Sequence, residues 1–342
     1  MSLVESIGSE PGAEWPGEDL GVQPSRRFGL LPPARVAVPY GVLAALVIVM
    51  VFRQPGFVSL SQFDTLTGNA LPLILVAAGQ TVVILAGGID LSVGGIISIV
   101  TVLAATHMHS SIGSMVATTV LLGLGGLLAG VLNGVLVAFV RIQPLIATLA
   151  TWSIWGGLAL VILPSPGGNV PPRWASLTTG SLIGIPSEIW FLGAIVLVWC
   201  LFLRTRTALA VRAVGSSLND AFLAGLSVRP TLIKAYALSG LAAAATGLYL
   251  VSSTVSGSPT IGTDYILPSI AAVGIGGARL SGGSARLSGA IAGAYILTVV
   301  NDVAFTLGLP SGWATFVVGP LLILAVLAGS LVGVGRLRVR RS

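Results

Sequence analysis

Long apolar runs separated by short polar breaks recur from Val36 to Val334. A helix needs about 20 residues to cross a bilayer. Cut at charges, prolines and glycine clusters, the runs predict spans over 36–52, 66–86, 90–106, 115–140, 144–163, 188–203, 231–251, 265–278, 287–304 and 313–335. The expected architecture is all-α: one polytopic transmembrane helical bundle over 36–335, with about ten spans and broken, Gly-rich helices. Two segments are weak. The run 265–278 is short and ends in glycines, and 90–106 starts at a charge, so eight or nine full crossings stand as the alternative. The stretch 164–187 is too polar and too rich in proline to span, and Trp174 and Trp190 on it suit a membrane interface.

Composition supports a membrane domain. Of 342 residues, 54% are hydrophobic and 8% charged, whereas soluble domains carry about 25% charged residues. The net charge of +6 is unevenly placed. Residues 1–35 form a tail read as disordered. Its first 25 residues hold Glu5, Glu10, Glu14, Glu18 and Asp19 and no basic residue, and they lack the basic and apolar regions of a signal peptide. A short basic tail, 336–342, closes the chain. With ten spans and an inside N-terminus, fifteen of the seventeen Lys and Arg residues fall on the inner side, and only Arg53 and Arg173 fall outside. That asymmetry predicts two cytoplasmic termini. Asp64, Glu188, Asp264 and Asp302 then sit at outer ends. The basic residues are too scattered for a nucleic-acid surface.

Against this background Asp90 stands out, in Gly87-Gly88-Ile89-Asp90-Leu91-Ser92-Val93-Gly94 within an apolar tract. A carboxylate at mid-bilayer depth costs about 2.5 kcal/mol or more. Glycines on both sides predict a broken helix, in which the charge meets polar backbone rather than lipid. Gly276-Gly277-Ala278-Arg279-Leu280-Ser281-Gly282-Gly283 echoes this segment at five of eight positions. Gly-interrupted segments in two halves of a membrane chain point to a solute path. The candidate path and helix-break residues are therefore Gly87, Gly88, Asp90, Ser92, Gly94, Gly276, Gly277 and Ser281. Gly123, Gly125, Gly126 and Gly130 offer a small-residue surface for close approach of a second copy.

Much chemistry is missing. A phosphate-binding loop of the G-x-x-x-x-G-K-[ST] type needs a Gly-Lys pair, and the single lysine, Lys234, follows Ile233. Cys200 is alone in an apolar run, and His107 and His109 sit in a Ser-rich turn with no carboxylate nearby. No nucleophilic triad or carboxylate pair stands out, so an enzyme is not expected, nor a metal or cofactor bound by this chain. The longest inner segment, 204–230, contains a short helix-like stretch from Leu218 to Leu226. Ser217 or Asn219 is a candidate cap, Asp220 suits the first turn and Gly225 the end. Phe222 and Leu223 would face water, which reads as a docking helix for a partner or as a helix resting on lipid headgroups.

These residues together resemble the membrane-spanning permease subunits of ribose/galactose-type sugar ABC importers. The resemblance covers roughly residues 35–335. It is carried by the run from Gly79 to Gly94, by Gly130-Val131-Leu132-Asn133-Gly134, and by Ile146-Ala147-Thr148-Leu149-Ala150-Thr151. It continues through Arg212-Ala213-Val214-Gly215, Asn219-Asp220-Ala221 and Ala224–Val228, then Ser239-Gly240-Leu241-Ala242 and the run Ile270–Gly283. The resemblance implies a subunit of the bacterial inner membrane that forms the path for a monosaccharide or similar small polar solute. It implies a second permease copy (homodimer or closely related heterodimer), a cytoplasmic ATP-binding subunit that holds the ATP and Mg, and an extracytoplasmic solute-binding protein. Arg212, Asn219, Asp220, Ala221, Phe222, Leu223 and Gly225 would then form the ATPase-coupling segment. The alternative is an ion-coupled secondary transporter, which would need several intramembrane ionisable groups.

Overall fold

The computed structural model describes residues 34–54, 56–308, 316, 319 and 320. The described residues form helices α1 (Ala34–Arg53), α2 (Leu60–Leu85), α3 (Val93–His107), α4 (Ile112–Ala138), α5 (Pro144–Ile162) and α6 (Pro172–Thr179). A two-stranded hairpin, β1 (Ser181–Leu182) and β2 (Ile185–Pro186), follows, with Leu182 paired to Ile185. Then come α7 (Ser187–Leu203), α8 (Arg206–Ser216), α9 (Leu218–Leu223), α10 (Val228–Thr254), α11 (Thr263–Ile275) and α12 (Leu287–Thr306).

The all-α expectation holds, and the count of about ten spans is not confirmed. Among the described residues, α2, α4, α5, α10 and α12 are long and apolar enough to cross a membrane. A sixth span arises if α7 and α8, bent by 77° at their junction, are taken as one. The candidates at 36–52, 90–106 and 265–278 are shorter apolar helices. At 1.5 Å per residue, α3 and α11 reach only about 20 Å, against a hydrocarbon core of about 30 Å. The candidate at 313–335 and the tails lie outside the described residues, apart from Phe316, Gly319 and Pro320.

Helix α10 is the hub, packed against α2, α3 and α4. Small residues let the backbones close. A Cβ on Gly126 would stand 2.6 Å from the Gly240 carbonyl oxygen, and one on Gly130 would overlap that of Tyr236. Gly134 meets Ile233 in the same way, so every fourth position of α4 faces α10. This corrects the expected use of Gly126 and Gly130 toward a second copy. Gly126 and Gly130 are consumed inside the chain, whereas a Cβ added at Gly125 would meet nothing within 4 Å and one at Gly123 only Leu241. The outer faces of α4, α5 and α7 expose Leu124, Leu128, Val161, Leu197 and Val198, as lipid-facing helices do.

Two extended stretches interrupt the helices, and they are built alike. After α2, residues 86–92 lead into the short helix α3. After α10, residues 255–262 lead into the short helix α11. The second stretch runs antiparallel beside α3. Its Gly257 lies against Thr101 and Ala105, Thr101 Oγ1 donates to the Ser258 carbonyl at 3.0 Å, and Gly262 N donates to Ser98 Oγ at 3.1 Å. The starts of α3 and α11 thereby meet: a Cβ on Gly262 would overlap the Gly94 carbonyl oxygen. Non-helical backbone of this kind survives at membrane depth because protein surrounds it.

The echo between 87–94 and 276–283 has a different origin. Gly87 (φ +84°) and Gly277 (φ +85°) both end a helix in the left-handed conformation. Gly88 N donates to Val83 O at 3.0 Å, and Ala278 N donates to Val273 O at 3.2 Å. Each is the six-residue closing bond of a Schellman cap. The cap is of one kind, but its left-handed residue is the first glycine of Gly87-Gly88 and the second of Gly276-Gly277, one position out of step with the echo. In the fold it is 255–262, rather than 276–283, that matches 86–92 in leading from a long helix into a short one.

Candidate functional site

Asp90 is fully buried. Its Oδ1 accepts from Ser92 N at 3.0 Å and from Ser92 Oγ at 2.6 Å. Ser92 Oγ accepts from Asn133 Nδ2 on α4 at 2.7 Å, and Asn133 Oδ1 accepts from Thr151 Oγ1 on α5 at 2.7 Å. Thr148 Oγ1, one turn earlier on α5, donates to the Ile89 carbonyl at 3.3 Å. From α2, the Gln80 amide accepts from Asp90 N and donates to Asp90 O, both at 3.2 Å, when its oxygen and nitrogen are oriented to match. One broken segment is thus tied to three helices through side chains.

Such a chain of bonds answers the cost of non-helical backbone in a dry setting, where an unmade bond costs about 1–3 kcal/mol. It is incomplete on one side. Asp90 Oδ2 and the Tyr236 and Ser239 hydroxyls make no hydrogen bond within 3.5 Å, although both hydroxyls flank the carboxyl from α10 and that of Ser239 is near enough to interact with it. Tyr236 lies against Gly88, where a Cβ would overlap its hydroxyl oxygen. Ser92 occupies the N-cap position of α3 without a side-chain capping bond. The carboxylate therefore holds the shape of the break rather than capping the helix.

The other sequence-chosen residues separate by environment. Gly88, Ser92, Gly94 and Gly276 are buried, Gly277 is half-buried, and Gly87 and Ser281 are exposed. None of the eight lines the polar cavity of 340 Å³ toward the opposite end of α2. That cavity is walled by Asp64, Asn69, Glu188, Tyr249, Ser253 and other residues of α2, α6, α7, α10 and α11. Tyr249 donates to Glu188 Oε1 at 3.3 Å. Sequence reasoning placed Asp64 and Glu188 at helix ends on one side, but nothing in their spacing signals that they share a cavity.

The segment 204–230 contains two helices where one is expected. Thr205 caps α8, its hydroxyl accepting from Ala208 N at 3.2 Å, and Ala208, Val211 and Val214 form the buried stripe. Ser217, rather than Asn219, caps α9 by accepting from Asp220 N at 3.2 Å. Gly225 (φ +76°) and the bond from Leu226 N to Ala221 O at 3.0 Å close it, so α9 stops at Leu223. Ala221 is buried, whereas Arg212, Asn219, Asp220 and Gly225 are exposed. Phe222 and Leu223 are 69% and 74% exposed.

A family model described as "Branched-chain amino acid transport system / permease component" matches residues 62–326. The chain belongs to this permease family. The permease is thus a multi-pass inner-membrane component of an ABC importer and not an enzyme, with ATP hydrolysis in a separate subunit. It is 34% identical to the probable ABC transporter permease protein y4mJ of Sinorhizobium fredii over 333 residues, covering 95% of this chain and 96% of that one. It is 31% identical to the ribose import permease protein RbsC of Escherichia coli strain K12, covering 83% and 90%. It is 35% identical to the autoinducer 2 import system permease protein LsrC of Escherichia coli O9:H4, covering 87% of each. No solved structure matches the permease. Its place in this family sets aside the ion-coupled alternative.

Proposed function

We propose that the permease forms the membrane path for a monosaccharide or a similar small polar solute. The relatives named for ribose and autoinducer 2 import support the solute class. So does the cavity of 340 Å³, which is large enough for one small solute and carries carboxylate, amide and hydroxyl groups suited to sugar hydroxyls. Two permease copies, as homodimer or closely related heterodimer, enclose the path, and lipid covers the remaining apolar faces. Both termini and the α8–α9 segment face the cytoplasm, a reading supported by Arg204, Arg206, Arg212 and Arg229 around α8–α9 and by the basic tail 336–342. An extracytoplasmic binding protein delivers the solute on the other side.

The observation that carries the coupling assignment is the tip of α9. Phe222 and Leu223 are large, apolar and exposed, beyond a 77° bend that takes the chain out of the direction of α7. The ATP-binding subunit, which holds ATP and Mg, docks there, with Arg212, Asn219 and Asp220 at the rim and Ala221 and Gly225 fixing the helix. Phe222→Asp puts an unpaired charge into that contact, and a central truncation of this kind costs about 2 kcal/mol or more of association. Copurification of the ATP-binding subunit with the variant should fall about tenfold or more. Undiminished copurification with full coupled ATPase activity would remove α9 as the docking site. Uptake of labelled monosaccharides by vesicles containing the whole complex tests the solute class, and no uptake of any neutral sugar counts against it.

A further inference from the structure

Three stretches of backbone meet at one point below Asp90 with no side chain between them. The Leu85 carbonyl oxygen, at the end of α2, accepts from Gly283 N at 3.0 Å. A Cβ on Gly215, in the last turn of α8, would overlap that same oxygen and stand 2.9 Å from Gly283 N. A Cβ on Gly282 (φ +101°) would overlap the Gly215 oxygen and stand 2.9 Å from the Gly87 Cα. A Cβ on Gly283 would overlap Ser216 Oγ. The end of α2, the end of α8 and the loop between α11 and α12 are thus in direct backbone contact. Beside them Val82, Leu85, Ala86, Val211, Ala235 and Ala285 form a buried apolar cluster.

The joint has an input and two outputs. Ser217 ends α8, its N–H donating to Ala213 O at 3.1 Å, and the same residue caps α9 through its hydroxyl. One residue therefore links the two helices, and a push on α9 turns α8. At this same end α8 touches Leu85 through Gly215, two residues before Gly87, where the segment held by Asp90 begins. It also touches Gly282 and Gly283, four residues before α12 starts at Leu287. A side-chain contact can absorb a small displacement by changing rotamer. A backbone-to-backbone contact has no such freedom, and packed contacts transmit strain.

Resting on the reading that the ATP-binding subunit docks on α9, we propose that Gly215 is a positioning residue for coupling. It carries motion of α8–α9 to the helix ends at Leu85–Gly87 and Gly282–Gly283 together, and the joint moves as one closed unit. Sequence reasoning put Gly276, Gly277 and Ser281 with the solute path. This proposal gives the loop that follows them to the drive instead.

The test uses the whole complex of permease, ATP-binding subunit and solute-binding protein in vesicles. In Gly215→Ala the ATP-binding subunit should copurify as in wild type and keep its basal ATPase, because α9 is untouched. Stimulation of ATPase by loaded binding protein and solute uptake should both fall about tenfold or more, a loss in the usual range of coupling energies. Stimulated ATPase and uptake within about twofold of wild type, with the subunit bound, would overturn the proposal. Loss of copurification in Gly215→Ala, while Phe222→Asp still copurifies, would overturn the docking reading and the proposal with it. A second variant covers failure of Gly215→Ala to fold. Ser216→Cys with Gly283→Cys, in a Cys200→Ala background, joins Ser216 to a position whose added Cβ would stand 3.2 Å from the Ser216 Cβ, slightly inside the disulfide spacing of about 3.5–4.5 Å, so uptake by the reduced form is the reference. A joint that stays closed predicts that the oxidised protein keeps its uptake. Arrest on oxidation, reversed by reductant, would mean that the joint opens during transport, and the proposal would fail.

Discussion

Asn133 on α4 donates its amide hydrogen to Ser92 Oγ in the broken segment at 2.7 Å, and both residues are fully buried. The same amide accepts from Thr151 on α5 through its oxygen. Asn133 is therefore the one side chain that ties the break to two helices at once. Asn133→Ala would leave Thr151 Oγ1 without its Asn133 acceptor and Ser92 Oγ without a donor. The expected cost is about 1–3 kcal/mol, read as a lower thermal midpoint of the detergent-solubilised permease. An unchanged midpoint would show that the chain of bonds does not stabilise the fold.

Asp90 acts through its Oδ1, which accepts both hydrogen bonds from Ser92. Asn offers the same oxygen without the charge, so Asp90→Asn should keep much of the ATP-driven uptake. Asp90→Leu removes the acceptor and should lose most of it, with two Ser92 donors left unpaired. Uptake in vesicles with ATP inside, measured with and without a pH gradient, separates these roles. Abolished uptake in Asp90→Asn would show that the charge itself is required.

Tyr236 buries a hydroxyl that has no partner, pressed against Gly88. An unsatisfied buried polar group costs free energy, and its removal leaves no other group stranded. Tyr236→Phe is therefore expected to be neutral or stabilising by up to about 1 kcal/mol. A clear drop in thermal midpoint would mean that the hydroxyl is paired when the permease sits in its membrane.

Helix α10 ends at Val255 with φ +52°, a left-handed conformation that a β-branched residue adopts at a cost. The penalty for such a residue is about 1–2 kcal/mol, and glycine avoids it. Val255→Gly should raise the thermal midpoint. No change or a fall would indicate that the exposed valine side chain contributes packing that outweighs the strain.

The sequence by itself determined that this chain lives in a membrane, that it is helical, and that its helices break near Asp90. Those facts are local: a run of apolar residues meets no water, and a Gly-flanked carboxylate cannot sit in an unbroken lipid-facing helix. The short helix after Ser217 was legible for the same reason, through its cap and its terminal glycine. Tertiary structure decided the rest. Asn133, Thr148 and Thr151 lie 41 to 61 residues from Ser92 and Asp90 in sequence, and only the packing of α4 and α5 brings their hydrogen bonds to the break. The two Gly-Gly segments look like a repeat, yet their caps are one position out of step, with the left-handed residue first in Gly87-Gly88 and second in Gly276-Gly277. The stretch 255–262, which like 86–92 leads from a long helix into a short one, carries no matching motif, since what places it is its packing along α3. Gly215, Gly282 and Gly283 were three glycines among 45 until the fold pressed their backbones together. A glycine's sequence records only that a side chain is absent, and the neighbour that needs the space is set by the packing of distant helices.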